Sequence, residues 1–330
     1  NQVFRVRWPN PDDAYYYVPV DDDGVYKIAG YRGTVRLIDS QNSAGLAAKD
    51  GTGLWGPAQA NYSIDDVKIT DNGWFEVVLS AQRPQGYAGN WWKLDKGATW
   101  IMVRQRAYDW VHEIDGRFGI ERLDRPAIRP RLTADQIAAK LKRVSVWAET
   151  WTRLNLTYAK ASYEKGKVNQ FQLRDFGSAG GFTGAVQVYP QAVFKLKPDE
   201  ALIVETELPD KCRYWNFQLV DTYWRTLGGL NQMNSINAHQ AKLDADGKFR
   251  FVVSATDPGV PNWLDSMGYE TGFVYGRWNV CSSTPLPTAH IVKLAEVRHY
   301  LPADTPTVTG EQRDQSLRER RLAAQMRKRW

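Results

Sequence analysis

The chain has 330 residues, enough for about two domains, and its 43% hydrophobic and 24% charged content is that of a folded rather than a disordered protein. No run of 18 apolar residues occurs, which argues against a helical membrane span. Net charge is +6, but seven basic and three acidic side chains fall within residues 311–330, so the body is nearly neutral and a nucleic-acid partner is not expected.

Residues 1–125 read mostly as strands and form a first β domain. Asp21, Asp22, Asp23 and Gly24 make a turn. Runs 25–28 and 34–38 are β-rich, with Gly30 and Gly33 between them. Residues 41–60 are Gly/Ala-rich and read as a loop. Strands follow at 75–79 and 99–106, and then a Pro/Arg linker at 126–132. At Thr133 the period changes. Thr133 and Gln136 form a capping box, after which Ile137, Leu141, Val144, Ala148, Trp151 and Tyr158 recur at three- and four-residue steps up to Gly166. This spacing predicts one long helix, or two abutting ones, over 134–164, packed between or across two β domains. It completes a linker-and-helix segment, 126–165.

From Phe171 the strand period returns, giving a second β domain over 166–309. The Gly-rich stretch 177–184 lacks the Lys-Ser/Thr ending of a phosphate-binding loop and reads as a surface loop. Run 201–208 places Glu205 and Glu207 on one face, a solvated strand face before a carboxylate pair. Run 213–221 alternates strongly. Trp215, Phe217 and Leu219 form an apolar face. Tyr214, Asn216 and Gln218 form a polar-aromatic one suited to hydroxyl-rich ligands or water. Residues 310–330 form a basic helix with Leu317, Leu322, Met326 and Trp330 roughly on one side. Packing against the body is its first reading, and a homo-oligomer contact or an anionic surface its second.

A passage of the N-terminal half echoes one of the C-terminal half. Asn72-Gly73 precedes an alternating strand over 74–80, then Pro84, Asn90-Trp91 and Arg104. Asp246-Gly247 precedes a strand over 248–254, then Pro258, Asn262-Trp263 and Arg277. The shared order suggests two related β units. Asp257, Asp265 and His239 lack clear counterparts in the first copy.

Several chemistries lack their signatures. The four histidines (His112, His239, His290, His299) form no H-E-x-x-H, and no C-x-x-C occurs, so neither a metal nor a cofactor is expected. There is no G-x-S-x-G and no G-x-G-x-x-G after a strand. Cys212 and Cys281 either pair or stay buried as thiols. What remains is a polar cluster in the second half, in a chain with 14 Trp and 16 Tyr, whose flat faces suit sugars as well as cores. His239 with Asp257 or Asp265 is the candidate acid/base set. Trp263 is a stacking platform. Arg277, always charged, is either a clamp for a substrate oxygen or the partner of Asp257 or Asp265 in a structural salt bridge. Tyr275, Asn262, Asn237, Gln218 and Tyr214 complete the expected binding surface, and the Asn-Trp pairs read equally as structural corners.

The residues around Asp199, Tyr214-Trp215, Ser235-Ile236-Asn237, Gln240, Asp246-Gly247, Asp257-Pro258-Gly259, Asn262 to Asp265, Gly272 and Arg277-Trp278 resemble a bacterial family, domain of unknown function 1214. Its members often stand beside, or are fused to, domain of unknown function 1254. Residues 1–125 look like the companion region of single-chain members, whose Arg-rich ending is also similar. The resemblance implies two β-sandwich or jelly-roll-like units with accessory helices, and no reaction. The expectation is a mainly β protein: two antiparallel β-sandwich/jelly-roll-like domains joined by a long helical segment, with a C-terminal helix. The function expected is metal-independent hydrolase or lyase chemistry on a carbohydrate or similar hydroxylated or aromatic small molecule. The alternatives are a non-catalytic glycan- or hydrophobic-ligand-binding protein and an assembly protein using the basic tail. The compartment stays open between cytoplasmic and exported with the leader removed.

Overall fold

The computed structural model describes residues 9–43, 58–128, 131–176, 186–228 and 231–327. The Gly-rich stretch 177–184, most of the expected loop 41–60 and Trp330 therefore lie outside the described residues. Each half contributes two sheets. In the N-terminal half, an inner sheet runs β1 (Asp13–Pro19), β7 (Trp100–Arg106), β3 (Leu37–Ser43), β4 (Ala58–Ser63). The outer sheet runs β6 (Trp91–Lys93), β5 (Trp74–Ser80), β2 (Tyr26–Tyr31), β8 (Arg117–Arg122). In the C-terminal half, the inner sheet runs β13 (Ser235–Asn237), β12 (Cys212–Val220), β16 (Thr271–Cys281), β10 (Gln187–Lys195), β9 (Gln172–Arg174). Its outer sheet runs β15 (Trp263–Asp265), β14 (Phe249–Ser254), β11 (Glu200–Thr206), β17 (Thr288–Lys293).

Among the described residues, the strand order of the first half thus recurs in the second, which adds β9. Pairing between the named strands is antiparallel except for one short parallel pair in each outer sheet, β5 with β6 and β14 with β15. The mainly β fold of antiparallel sandwiches is thus as expected, with these short parallel pairs added at the outer edges. The loop before each Asn-Trp brings the chain back alongside the strand it has just left.

Alternation builds the two sandwich cores. In the first, Ile28, Phe75, Val77 and Leu79 of the outer sheet meet Ile38, Ile101 and Val103 of the inner one. In the second, Leu202, Val204, Phe249 and Phe251 meet Trp215, Phe217, Leu219 and Val274. Cys212 and Cys281 oppose each other on β12 and β16 and form a disulfide.

The inner sheets are buried on their second faces as well, and those faces are polar. They meet each other. Arg106 donates to both carboxylate oxygens of Asp13 at 2.5 and 2.9 Å, with the two side chains 1% and 0% exposed. The Arg106 guanidinium also lies 4.3 Å from the Tyr214 ring centroid of the other half. Asn10 donates to Tyr214 Oη and accepts from Asn216 Nδ2, each at 2.9 Å. Asn237 Nδ2 donates to Asp12 Oδ1 at 2.9 Å. The polar-aromatic face of β12, expected to meet ligand or water, is instead closed by the amides and carboxylates of residues 9–13. The same layer explains β3, found at Leu37–Ser43 rather than 34–38. Asp39 and Gln41 look like loop residues, yet they are buried beside Arg104, whose Nη2 donates to Gln41 Oε1 at 2.6 Å.

Helix α1 (Ala134–Lys165) starts at the expected capping box on Thr133 and Gln136. Only its C-terminal half packs on the body, through Trp151, Asn155, Ala159 and Ser162. Tyr158 and Ala159 cover Val193, Val220, Trp224 and Phe273 of the C-terminal half. Every residue from 131 to 146 is exposed, so the helix projects as an arm, which corrects the expectation that it packs between or across the sheets. Helix α2 (Gly310–Met326) does pack on the body, but Leu322 and Met326 stay exposed, and Arg313, Arg320, Ala323 and Ala324 are its buried residues.

Removing one member of a buried ion pair leaves the other charge unpaired in a dry site. Asp13→Ala should therefore cost about 3–5 kcal/mol, read from urea unfolding. A loss below about 1 kcal/mol would show that the pair behaves like a surface salt bridge.

Candidate functional site

Helix α2 is held by a row of arginines seven residues apart, a spacing that puts all three on one helical face. Arg313 donates to the Asp257 carboxylate at 2.8 and 3.3 Å and to Val260 O at 2.5 Å, with its guanidinium 5.2 Å from the Trp263 ring centroid. Arg320 donates to Asn234 Oδ1 at 2.9 Å and Ser235 Oγ at 2.6 Å, and lies 4.6 Å from the Trp110 ring. Burial brings Arg320 down to about 10, against the opposing charge of Asp12. Arg327, which caps the helix, donates to Asp115 at 2.7 and 3.2 Å and to Asp12 O at 2.7 Å. The helix thus ties the C-terminal half to the N-terminal one. The apolar side expected to dock, through Leu322 and Met326, does not, because the surface beneath α2 offers carboxylates, carbonyls and ring faces.

Between α2, the segment around residues 239–244 and the loop 305–308 runs a groove of about 1020 Å³. His239 lines it, half-exposed, with Nε2 3.6 Å from Asp109 Oδ2. His112 Nδ1 approaches the same oxygen at 2.6 Å. Asp109 Oδ1 accepts from the backbone N–H of Val111 at 2.9 Å and of His112 at 3.1 Å. Partial burial raises the Asp109 carboxyl, but the bonds from the His112 side chain and the two amides, with the His239 charge, bring it below its ordinary value. The carboxylate is therefore held ionised between two imidazoles.

The ten expected site residues separate into distinct places. Tyr214, Gln218, Asn237, Tyr275 and Arg277 come together in the buried layer between the inner sheets. There Arg277 donates to Gln218 Oε1 at 2.7 Å and Asn216 Oδ1 at 3.2 Å, and lies over the Tyr275 ring. The salt bridge expected between Arg277 and Asp257 or Asp265 is not formed: Arg313 takes Asp257, and Asp265 accepts from the backbone of Met267. Asn262 is a corner. It accepts from Lys242 N at 3.0 Å and donates to Lys242 O at 2.6 Å and Arg250 O at 2.7 Å. Asn90 makes the same three bonds in the first half, to Lys68 N, Lys68 O and Glu76 O. Trp263, 7% exposed, donates from Nε1 to Ser254 Oγ, as Trp91 does to Ser80 Oγ. A buried ring covered by Arg313 offers no open stacking face. Asp265, at the end of β15, accepts from Met267 N at 2.7 Å.

Of the expected acid/base set, only His239 lines the groove, and its carboxylate is Asp109. Asp109 and His112 are the residues that sequence reasoning missed. The available signal was the Asp-x-x-His spacing in a short loop, but nothing local connects it to His239. Among the described residues, no group of three or more His, Cys, Asp or Glu side chains is arranged to hold a metal ion.

The fold defined by these observations is a pair of β-sandwiches joined through a polar layer, with one projecting helix and one clamping helix. The family described as Protein of unknown function (DUF1214) matches residues 195–278. An uncharacterized protein from Burkholderia cenocepacia, known as a crystal structure, is 30% identical, with a TM-score of 0.80 over 88% of this chain and 79% of that one. The VPA0106 protein from Vibrio parahaemolyticus shares the fold at 13% identity, with a TM-score of 0.52 over 87% of this chain and 90% of that one. No curated protein matches. The chain belongs to the DUF1214 family.

Two variants separate structure from chemistry among the expected residues. Asp257→Ala removes the anchor of Arg313 and should destabilise the fold by roughly 2 kcal/mol, measured by urea unfolding; unchanged stability would return Asp257 to the list of chemical candidates. Asp265 has its carboxyl raised by burial and by the nearby Asp257 charge. A raised group stabilises the fold fully below its unfolded value, and that contribution is lost as pH rises through the folded one. Asp265→Asn keeps the acceptor for Met267 N–H, so it should raise the unfolding midpoint at pH 7 and leave it nearly unchanged at about pH 3. A lower midpoint at pH 7 would contradict this.

Proposed function

We propose that the groove under α2 takes a polar, hydroxyl-bearing small molecule, with carbohydrates the leading class, and that His239 transfers a proton in hydrolase- or lyase-type chemistry. The observation that carries this reading is His239 facing the ionised Asp109 inside a groove of about 1020 Å³. A proton on Nε2, the nitrogen facing Asp109, leaves the lone pair on Nδ1 as the base. At 3.6 Å the contact is longer than a formed hydrogen bond. Such pairs tighten when substrate closes the site. Gln240, Asp244, Gln312, Gln315 and Ser316 line the same groove and supply the mixed donors and acceptors that sugar hydroxyls need. This assignment moves the carboxylate role from Asp257 and Asp265, both engaged in the fold, to Asp109. Trp263, Tyr214 and Tyr275 are buried, so binding by ring stacking on these residues has no support.

Turnover of a panel of aryl glycosides and uronate-containing oligosaccharides by the full chain tests the proposal. His239→Ala should lower kcat/KM by about 10²–10⁴ and Asp109→Asn by at least about tenfold, each with an unchanged unfolding midpoint. Turnover insensitive to both substitutions would overturn the reading. Binding without turnover would leave the groove a binding site and remove the catalytic part.

A further inference from the structure

One face of α1 follows steps of four and three through Ile137, Leu141, Val144, Ala148, Trp151, Asn155, Tyr158 and Ser162, apolar throughout its exposed first half and mixed where the body covers it. That is the 3.5-residue spacing of a paired-helix seam, with Val146, Leu154 and Leu156 as further exposed apolar side chains off it. The body covers the second half of the seam, where Trp151, Asn155 and Ser162 are buried. The first half runs on into solvent, with Ile137 46%, Leu141 64% and Val144 60% exposed. The preceding segment adds Ile128 at 84% and Leu132 at 42%. Exposed apolar side chains at single sites are ordinary, but a seam of them on a projecting helix marks a contact surface.

We propose that this arm pairs with the same arm of a second copy of the chain, antiparallel about a two-fold axis. A narrow seam needs an equal seam opposite it, and each copy brings one. Seating apolar seam positions against each other in opposite directions places Leu141 of one copy against Val144 of the other, and Ile137 against Ala148. The same register brings Lys140, beside the seam, near the partly exposed Trp147 of the partner, whose ring stacks on its own Trp151. In a parallel pair Lys140 would instead face Ser145. The seam side chains with Ile128, Leu132 and Trp147 of two copies together cover on the order of 1,000 Å², the lower end for a specific pair. The contact is an arm contact, distinct from the C-terminal helix, whose arginine face is used within the chain.

Sedimentation equilibrium of the full chain over a concentration series should show a monomer–dimer exchange. Leu141→Glu should weaken it by at least about a hundredfold with an unchanged unfolding midpoint at concentrations where both chains are monomeric, because the side chain is exposed in the monomer. Orientation is read separately. Under mild oxidation, an equimolar mixture of Leu141→Cys and Val144→Cys chains should form the mixed cross-linked dimer faster than either variant cross-links alone. Three results would overturn the proposal. One is a monomer throughout, up to ~100 μM. Another is a dimer that Leu141→Glu leaves intact. The third is a monomer whose arm binds vesicles containing anionic lipid, which would assign the face to a membrane surface.

Discussion

Arg106 and Asp13 of the N-terminal half meet where water is excluded on all sides, and the pair holds Arg106 against Tyr214 and Gln187 of the other half. A sandwich normally leaves the outward face of each sheet to solvent. Here the inner sheets turn those faces toward each other and bury them, so most polar groups find a partner across the gap or within their own sheet, while atoms such as Ser40 Oγ and Asn279 Oδ1 make no hydrogen bond among the described residues. Arg106 is met by burial, which would lower it, and by Asp13, which raises it well above its ordinary value. The ring of Tyr214, the amides of Asn10 and Asn216, and the Asp12–Asn237 bond complete the seal from both halves. Oil-like contact would let two sheets slide. Directional hydrogen bonds fix one register, and a broken one leaves a buried group unsatisfied.

The α2 row works in the same way. Arg313 and Arg320 reach carboxylate, amide and hydroxyl oxygens of the C-terminal half, and Arg327 reaches Asp115 and the backbone of Asp12 in the N-terminal half. The helix that roofs the groove is therefore anchored through groups whose geometry is directional, with Trp263 and Trp110 supplying flat faces beneath two of the guanidiniums. The Trp content of the chain is partly explained by this use. At these two positions indole rings serve as floors for cations inside the fold rather than as open ligand platforms.

What was legible in the sequence is what local rules control. The capping box at Thr133 and the seam after it located α1 almost to the residue. Alternation located β5, β7, β11 and β12, and the paired Asn-Trp corners flagged the turn that returns the chain alongside β5 and β14. What was not legible depends on the other half of the chain. Asp39, Ser40, Gln41 and Asn42 look like a loop until an inner sheet needs a polar face on one side. Arginines at 313, 320 and 327 look like a solvated basic face until the acids and carbonyls they meet are brought near. Asp109 and His239 lie 130 positions apart in the chain, and no periodicity within either segment predicts their meeting.

Asn237 connects the two parts of the molecule most directly. Its Nδ2 donates to Asp12 Oδ1 and to Tyr108 O, and its Oδ1 accepts from the backbone N–H of His239 at 3.0 Å. Trp110 Nε1 donates to the same Asp12 oxygen at 2.8 Å. Burial raises the Asp12 carboxyl, and the bonds from Tyr214 and Asn237 act against that rise. Asp12 thus gathers, on one buried group, contacts that fix the loop bearing Asp109 and the turn bearing His239. The two residues facing each other in the groove come from different halves, and their separation is set by how those halves dock. Asp12 and Asn237 are the groups through which the docking of the halves and the placing of both groove residues share hydrogen bonds.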